Sequence, residues 1–388
     1  MFHILILLIY IAFISLGLPD ALLGSSWPSM RETMNVPLSY AGIISLIIAL
    51  GTVVSSLLSD RITRKLGTAK VTAFSVMLTA IALLGFSLSS KFWMLIIFAI
   101  PYGLGAGSVD AALNNYVAIN YSSKHMSWLH CMWGLGASIG PYIMSYSLIS
   151  SKSWTNGYLY IAILQIALTF ILFISIPIWK KEENKENDLN ETKPLSLIRI
   201  IKLVGVKEVL ITFFCYCAIE QTAGLWASSY LIDRYSISVD AAASFASLFY
   251  IGITVGRAIS GFLTMKYSDN TMIRSGIIMI LIGIILIILP LNIIFSYIGL
   301  VVIGLGCAPI YPCVIHSTPI LFGKDKSQAI IGVQMASAYI GTCIMPPLFG
   351  FIASLLSLKL YPVYLLILLL IMYWMYELLI KKVNRNKG

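Results

Sequence analysis

Charged residues are scarce in this chain. Only 11% of its 388 residues are charged, whereas 59% are hydrophobic, and the mean hydropathy is +0.90. Soluble domains carry about 25% charged residues, so this composition excludes a water-facing globular surface. Because a membrane-spanning helix needs about 20 apolar residues, the length allows roughly a dozen spans and leaves no room for a soluble catalytic domain.

Cysteine is also sparse, and the spacing of the cysteines does not match that of a redox or metal-binding site. All six cysteines fall inside apolar segments, and Cys215 and Cys217 are one residue apart, which is not the Cys-x-x-Cys spacing of a redox or zinc site. We interpret them as packing residues and expect no disulfide and no metal. The chain also lacks a nucleophile–base pair, a phosphate-binding loop and metal-ligand spacing, so we expect no enzyme activity and no cofactor.

A nucleic-acid-binding protein and a cleaved signal peptide are two interpretations that the positions of the residues argue against. The net charge is +10, but the basic residues lie in loops between apolar runs and form no stripe, so we expect no nucleic-acid partner. The run from His3 to Leu18 resembles a signal peptide, yet it lacks a basic start and the apolar stretch continues past Pro19. We therefore interpret it as the first membrane helix.

Apolar runs separated by charged or turn-forming breaks predict twelve membrane-spanning helices. The predicted spans are 3–29, 39–59, 68–88, 92–119, 127–149, 155–179, 207–232, 241–265, 272–290, 293–317, 327–354 and 360–380. The most polar stretch, from Lys180 to about Lys202, divides them six and six. We predict an all-α membrane protein with an N-terminal six-helix bundle (1–179), a cytoplasmic linker (180–205) and a C-terminal six-helix bundle with a short basic tail (206–388).

Basic residues predict the orientation. With the N-terminus inside, twenty of the 26 Lys and Arg residues fall on the cytoplasmic side and five outside, while Arg257 lies within a span. This bias places both termini in the cytoplasm and the chain in the cell membrane.

The halves of the chain also resemble each other, which favours two repeats with a binding site at their interface. Gly51 and Ser56 precede Gly256 and Gly261 by 205 residues, Gly136 and Pro141 precede Gly341 and Pro346 by 205, and Gly103-Leu104-Gly105 precedes Gly304-Leu305-Gly306 by 201.

Three acidic residues lie deep in predicted spans: Asp20, Asp110 and Glu220. An acid in a membrane helix is costly and indicates a functional site. Burial disfavours the charged form of a carboxyl, so such a group can take up a proton on one side and release it on the other. The alternative is that each acid only ties its helix to a neighbour.

Asp20 and Asp110 each lie on a line of small residues. Helical spacing places Gly17, Asp20, Gly24 and Trp27 on one face, with a kink expected at Pro19. In the second line, Gly103, Gly107, Asp110 and Asn114 follow one another at spacings of three or four. Asn114 therefore lies one turn after Asp110 and offers an amide beside a proton site.

Span seven suggests a solute site. Glu220 and Gln221 can bind hydroxyl groups, and Trp226 can stack on a sugar ring, although packing or a place in the interfacial belt explains Trp226 equally well. Arg257 either snorkels to the cytoplasmic surface or pairs with an acid. Gln165, Gln334 and Asn115 are candidate cavity groups, and we expect His130 and His316 to cap or hydrogen-bond near helix ends.

The segment SLLSDRITRKLG, between spans two and three, is interpreted as a rigid charged turn at the cytoplasmic mouth. There Asp60 and Arg61 would cap and clamp helix ends, and Arg64 and Lys65 would set orientation. Ion pairs at such a turn can break and reform as the protein changes state, whereas a purely topological role is the alternative.

This DRxxRK segment resembles the loop motif of the major facilitator superfamily, with Ser56 and Thr63 at its usual glycines. GLGAGSVDAALNNYV, HCMWGLGASIGP and VGRAISG, together with Asp20, resemble its fucose–galactose–glucose:proton symporter branch. The resemblance implies alternating access and a proton-coupling role for Asp20 and Asp110, although Asp110 is one methylene shorter than the usual Glu. Trp133, within HCMWGLGASIGP, is a further candidate substrate-binding residue.

We therefore expect a monomeric proton-coupled importer of a hexose-type sugar, whose partners are the solute, protons and the lipid bilayer. The candidate proton-coupling residues are Asp20 and Asp110, the candidate substrate-binding residues are Asn114, Trp133, Glu220, Gln221, Trp226 and Gln334, and the candidate gating residues are Asp60, Arg61, Arg64 and Arg257. The alternatives are a proton-coupled exporter of drugs or metabolites on the same fold, and a sensor or lipid-handling relative that does not couple to protons.

Overall fold

A computed structural model describes residues 2–37, 40–151, 153–183, 195–237, 239–290 and 292–387, which contain fourteen α-helices and one 3₁₀ helix, Leu358–Leu360. The α-helices are α1 Phe2–Gly17, α2 Leu22–Met34, α3 Tyr40–Leu66, α4 Thr68–Ser87, α5 Phe92–Asn120, α6 Ser123–Ser150, α7 Trp154–Glu183, α8 Leu197–Lys202, α9 Val206–Tyr235, α10 Val239–Leu263, α11 Asp269–Ile288, α12 Ile293–Phe322, α13 Lys324–Leu355 and α14 Tyr361–Lys387. Residues 184–194 of the predicted linker lie outside the described residues.

The predicted all-α membrane architecture is confirmed. Within the described part of the chain, ten stretches are long and apolar enough to cross a membrane, and Leu248–Leu263 of α10 is a shorter apolar stretch. The remaining predicted span corresponds to α6, whose first half carries several polar residues. The ten stretches include α1 and α2 as one span, so all twelve predicted spans have a helical counterpart.

The first span is broken at its centre. α1 ends at Gly17 and α2 begins at Leu22, and the Asp20 N–H donates to the Gly17 carbonyl oxygen across 3.1 Å. Pro19 has no N–H, and its ring clashes with the carbonyl one turn earlier, which favours an interruption of the helical hydrogen bonds at this point. The kink expected at Pro19 is therefore a complete interruption.

The single face proposed for Gly17, Asp20, Gly24 and Trp27 is consequently wrong. These residues are divided between α1, the break and α2, so the helical spacing does not carry through. Trp27 is 4% exposed and belongs to an apolar core cluster with Met30. It packs in the protein interior instead of extending the Asp20 site.

The charged segment after span two is helical and not a turn. α3 continues to Leu66 and includes DRITRK, and the chain leaves the helix at Gly67, where φ is +80°. No glycine or proline lies between Gly51 and Gly67, so nothing in the sequence interrupts the helix before that point. Asp60 and Arg61 lie within this helix and cap no helix end.

The contacts divide the chain into two compact units. Unit 1 comprises Met1–Tyr116, Leu129–Pro194 and Lys324–Ala336, and unit 2 comprises Val117–Trp128, Leu195–Gly323 and Ser337–Gly388. Each unit thus includes a short segment from the opposite half of the sequence.

Glycines bring helices of unit 1 into backbone contact. A Cβ at Gly136 of α6 would collide with the Ile14 carbonyl oxygen of α1, and one at Gly103 of α5 would collide with the Ile48 carbonyl oxygen of α3. Only glycine permits these approaches.

Unit 2 repeats both contacts. A Cβ at Gly341 would lie 2.7 Å from the Phe214 carbonyl oxygen, and Gly304 packs against Gly252 as Gly103 packs against Gly51. The counterpart of Gly51 is thus Gly252 and not Gly256. The repeat offset is 201 residues for this pair of helices and 205 residues for Gly136 and Gly341.

Candidate functional site

Asp20 lies at the break between α1 and α2, where two aromatic side chains bind its carboxylate. The Trp133 indole N–H of α6 donates to Oδ2 across 2.8 Å, and the Tyr102 hydroxyl of α5 donates to Oδ1 across 3.2 Å. The Asp20 side chain is exposed, whereas Tyr102 is buried. The Asp20 carboxylate thus lies at the break of an apolar span, beside one donor-only and one donor–acceptor group.

Close helix packing positions these donors. A Cβ at Gly17 would collide with the Trp133 carbonyl oxygen, so the end of α1 lies directly against α6 at the residue that binds Asp20. The Tyr102 ring stacks on Phe86 at 6.5 Å between centroids. The Asp20 site is therefore fixed from two sides by helix contacts that do not involve the carboxylate.

Asp110 belongs to a buried chain of hydrogen bonds in unit 1. The Asn114 amide nitrogen donates to Asp110 Oδ1 across 2.7 Å, and Asn114 Oδ1 lies 3.1 Å from His130 Nε2. Because the amide nitrogen is the donor to Asp110, its oxygen must accept, so His130 Nε2 carries the hydrogen. The predicted Asp110–Asn114 pair is confirmed, and His130 extends it to α6.

Glu220 of α9 forms a buried ion pair in unit 2. The Arg257 guanidinium of α10 lies 3.3 Å from Glu220 Oε1, and the side chains are 4% and 14% exposed, respectively. The Tyr216 hydroxyl donates to the other carboxylate oxygen, Oε2. Of the two roles left open for Arg257, pairing with an acid is the one that the structure shows.

Aromatic rings surround this ion pair. Phe213 packs against Tyr311 at 4.7 Å between centroids, and Tyr216 lies 6.0 Å from Tyr311. Buried charges require both a partner and satisfied hydrogen bonds, and Tyr216 supplies one such hydrogen bond to the Glu220 carboxylate.

Gln221 and Trp226, the other candidates in α9, are not part of this network. Gln221 is exposed. The Trp226 indole N–H donates to the Pro346 carbonyl oxygen across 2.9 Å, and its ring meets Phe349 edge-on at 5.5 Å. Trp226 thereby attaches α9 to α13, which favours the packing interpretation.

The three candidate cavity groups are buried. The Gln165 amide donates to the Ser15 carbonyl oxygen across 2.5 Å, and Asn115 Oδ1 accepts from the Ser327 hydroxyl across 2.6 Å. These two side chains join neighbouring segments of unit 1. Gln334 lies in the part of α13 that belongs to the same unit.

The candidate gating residues of α3 behave differently from one another. Arg64 pairs with Asp60 across 2.8 Å and also donates to the Asp325 carbonyl oxygen across 2.8 Å. Arg61 is exposed. Arg64 thus links α3 to the first turn of α13 within unit 1, next to the bond between Gln328 and Ser59.

His316 forms a polar cluster in unit 2 that the sequence did not indicate. Its Nδ1 lies 2.6 Å from Asp269 Oδ2 and its Nε2 lies 3.2 Å from the Tyr121 carbonyl oxygen. The Ser123 hydroxyl donates to Asp269 Oδ1 across 2.5 Å. Because a carbonyl oxygen only accepts, Nε2 carries a hydrogen. The expectation of hydrogen bonding at His316 is confirmed, with Asp269 as an unforeseen partner.

Two tyrosines that bind the candidate acids Glu220 and Asp20 were missed. Tyr216 lies four residues before Glu220, so helical spacing could have identified it. Tyr102 reaches Asp20 from 82 residues away, and a single tyrosine in an apolar run carries no signal of such a contact.

Sequence comparisons place these residues in a known group. The family model described as Major Facilitator Superfamily matches residues 9–346, with a second match over 209–387. Bypass of stop codon protein 6 of Saccharomyces cerevisiae is 26% identical over 67% of this chain and 57% of its own length. The Glucose/mannose transporter GlcP of Bacillus subtilis is 22% identical over 88% of this chain and 86% of its own length.

A solved structure shows the same fold. FucP, the fucose:proton symporter of E. coli, superposes in its outward conformation with a TM-score of 0.78, over 95% of this chain and 98% of that chain, at 13% identity.

Proposed function

Since the chain belongs to the major facilitator superfamily and is a multi-pass membrane transporter, we propose that it carries a hexose-type sugar into the cell together with protons. The observation that carries this proposal is the Asp20 carboxylate, which lies at the break of a span and is bonded by Trp133 and Tyr102. Similarity to a glucose/mannose transporter and to a fucose:proton symporter supports the choice of solute.

In this proposal Asp20 and Asp110 exchange the coupled proton, because both are acids within membrane spans that have hydrogen-bond donors beside them. Sugar hydroxyls suit the donor and acceptor groups of the candidate substrate-binding side chains. These are Asn114, Trp133, Glu220, Gln221 and Gln334, while Trp226, whose indole N–H is bonded to Pro346, would offer only its ring. The proposed gating residues are Asp60, Arg61, Arg64 and Arg257. The polar contacts of Asp60, Arg64 and Arg257 can break and reform between states.

Gradient-driven uptake tests the function. The purified protein is reconstituted in liposomes, a pH gradient (acid outside) is imposed, and radiolabelled glucose, mannose, fucose and xylose are offered in turn. We expect at least one sugar to accumulate above its external concentration and the accumulation to collapse when a protonophore is added. Protein-free liposomes provide the control. If no sugar enters but dyes or organic ions are expelled, the exporter alternative replaces this proposal.

We further propose that both termini lie in the cytoplasm. The basic tail after Lys381 and the bias of Lys and Arg toward that side support it. Alkaline phosphatase folds only outside the cytoplasm, so a fusion after residue 387 is expected to be inactive in cells, and a fusion in the loop near Lys91 is expected to be active. The opposite pattern would overturn the orientation.

A further inference from the structure

A cavity of about 490 Å³ lies at the end of unit 2 where α8 passes into α9. Its walls are the end of α8, the following turn, the first residues of α9 and the C-terminal end of α14. This cavity is separate from Asp20, Glu220 and the other candidate transport residues, none of which lines it.

One glycine determines the shape of this cavity. Gly205 adopts φ +88°, a backbone conformation that side-chain-bearing residues rarely adopt, and so turns the chain from α8 into α9. A Cβ there would lie 3.0 Å from Leu379 and 3.1 Å from Val383, so the turn packs closely on α14. The basic residues of three segments therefore converge on one space.

The cavity has an excess of positive charge. Four basic side chains line it: Lys202, Lys207, Lys382 and Arg385. Among the described lining residues Glu208 is the sole acid, and it is 7% exposed and paired with Lys382. Three cationic side chains are left without an acidic counterpart in the lining. The start of α9 adds the partial positive charge of a helix N-terminus.

The adjoining helix has the character of a membrane-surface segment. α8 reads LIRIIK, and its Leu197 and Ile198 are 44% and 68% exposed, while Val204 just beyond it is 49% exposed. Apolar side chains left outside the protein, next to Arg199 and Lys202, match a helix that lies at the boundary of headgroups and acyl chains. A lipid can therefore reach the cavity with its headgroup while its chains remain beside α8.

We propose that this cavity binds a phosphate-bearing anion, supplied by the headgroup of an anionic phospholipid. Lys202, Lys207 and Arg385 contact the phosphate, and the exposed apolar residues of α8 contact the acyl chains. Charge complementarity selects the anion, since basic clusters next to a membrane helix attract anionic lipids. The exposed apolar side chains favour a lipid over a soluble phosphate.

The test uses the full-length protein in nanodiscs of phosphatidylcholine, with and without phosphatidylglycerol. Native mass spectrometry counts retained phosphatidylglycerol, and a thermal unfolding scan measures stabilisation. The variant Lys202→Gln/Lys207→Gln/Arg385→Gln is expected to retain phosphatidylglycerol roughly tenfold or more weakly, since three cations near the surface are removed. The matched control, Lys70→Gln/Lys266→Gln/Lys324→Gln, removes the same charge from exposed positions elsewhere and is expected to match the wild type.

Two further arms make the outcome decisive. Equal retention in both variants would overturn the proposal. Inorganic phosphate and glycerol 3-phosphate are added to pure phosphatidylcholine discs, and stabilisation by them equal to that by phosphatidylglycerol would overturn the lipid source. The same triple variant, melted in phosphatidylcholine alone, separates loss of binding from loss of folding, because a folded variant melts there like the wild type.

Discussion

Asp20→Asn is expected to reduce proton-driven sugar accumulation to simple equilibration while sugar exchange across the membrane continues. The amide preserves the geometry of the site: its oxygen accepts from the donor-only Trp133 indole, and its nitrogen donates to the Tyr102 hydroxyl, which can also accept. What the amide removes is the exchangeable proton. The measurement compares uptake under a pH gradient with counterflow of labelled sugar in preloaded proteoliposomes.

A control on the same segment is Glu32→Gln, which neutralises an exposed acid of α2 and should leave accumulation intact. Accumulation that persists in Asp20→Asn would remove Asp20 from the coupling step. In that case Asp110→Asn becomes the deciding variant, since Asp110 is the other candidate proton-coupling acid and also has an adjacent donor.

Removing Arg257 alone is expected to destabilise the protein strongly. Arg257→Met leaves Glu220 without its cationic partner in a site where both side chains are largely buried. Breaking a buried ion pair from one side costs about 3–5 kcal/mol, whereas replacing both partners by apolar or neutral groups is often neutral. Thermal unfolding in detergent should therefore show a large loss for Arg257→Met and a recovery for Glu220→Gln/Arg257→Met.

The surface pair Arg274–Glu377 provides the comparison. Arg274 Nε lies 2.7 Å from Glu377 Oε1, but the two side chains are 47% and 33% exposed, respectively. Arg274→Gln should therefore lower the free energy of unfolding by about 1 kcal/mol or less. Equal losses for Arg257→Met and Arg274→Gln would mean that Arg257 is not a buried structural charge. A double variant that recovers stability but not transport would separate the structural role of the pair from its proposed gating role.

Hydropathy and run length were sufficient to predict the membrane spans, because a span must satisfy its own backbone hydrogen bonds and therefore shows in local sequence. The Asp110–Asn114 pair was also predictable, since both residues lie on one helical face. The predicted span ended before DRITRK, because this segment is charged and was interpreted as a turn. Charge indicates where a helix leaves the membrane, but it does not end the helix. The helix ends where Gly67 changes the backbone direction.

The hydrogen-bond partners of Asp20 and Asp269 could be identified only from the folded structure. Trp133 and Asp20 are 113 residues apart, and Asp269 and His316 are 47 apart. Such contacts depend on which helix faces pack together, which here follows from glycine contacts such as Gly17 against Trp133. Trp226 was a candidate for stacking on a sugar ring because it lies near Glu220 and Gln221 in the sequence. In the structure its indole N–H donates to the Pro346 carbonyl oxygen instead.

α3 is one unbroken rod from Tyr40 to Leu66, in contact with α5 at Gly51 and bonded to Asp325 at Arg64. At 1.5 Å per residue, Arg64 lies roughly 20 Å along the axis from Gly51. A tilt of roughly 10° about that contact displaces Arg64 by roughly 3 Å. This is enough to break its 2.8 Å bond to the Asp325 carbonyl oxygen. Because α3 is long, a tilt of roughly 10° at mid-helix is enough to decide whether the hydrogen bond near its end forms.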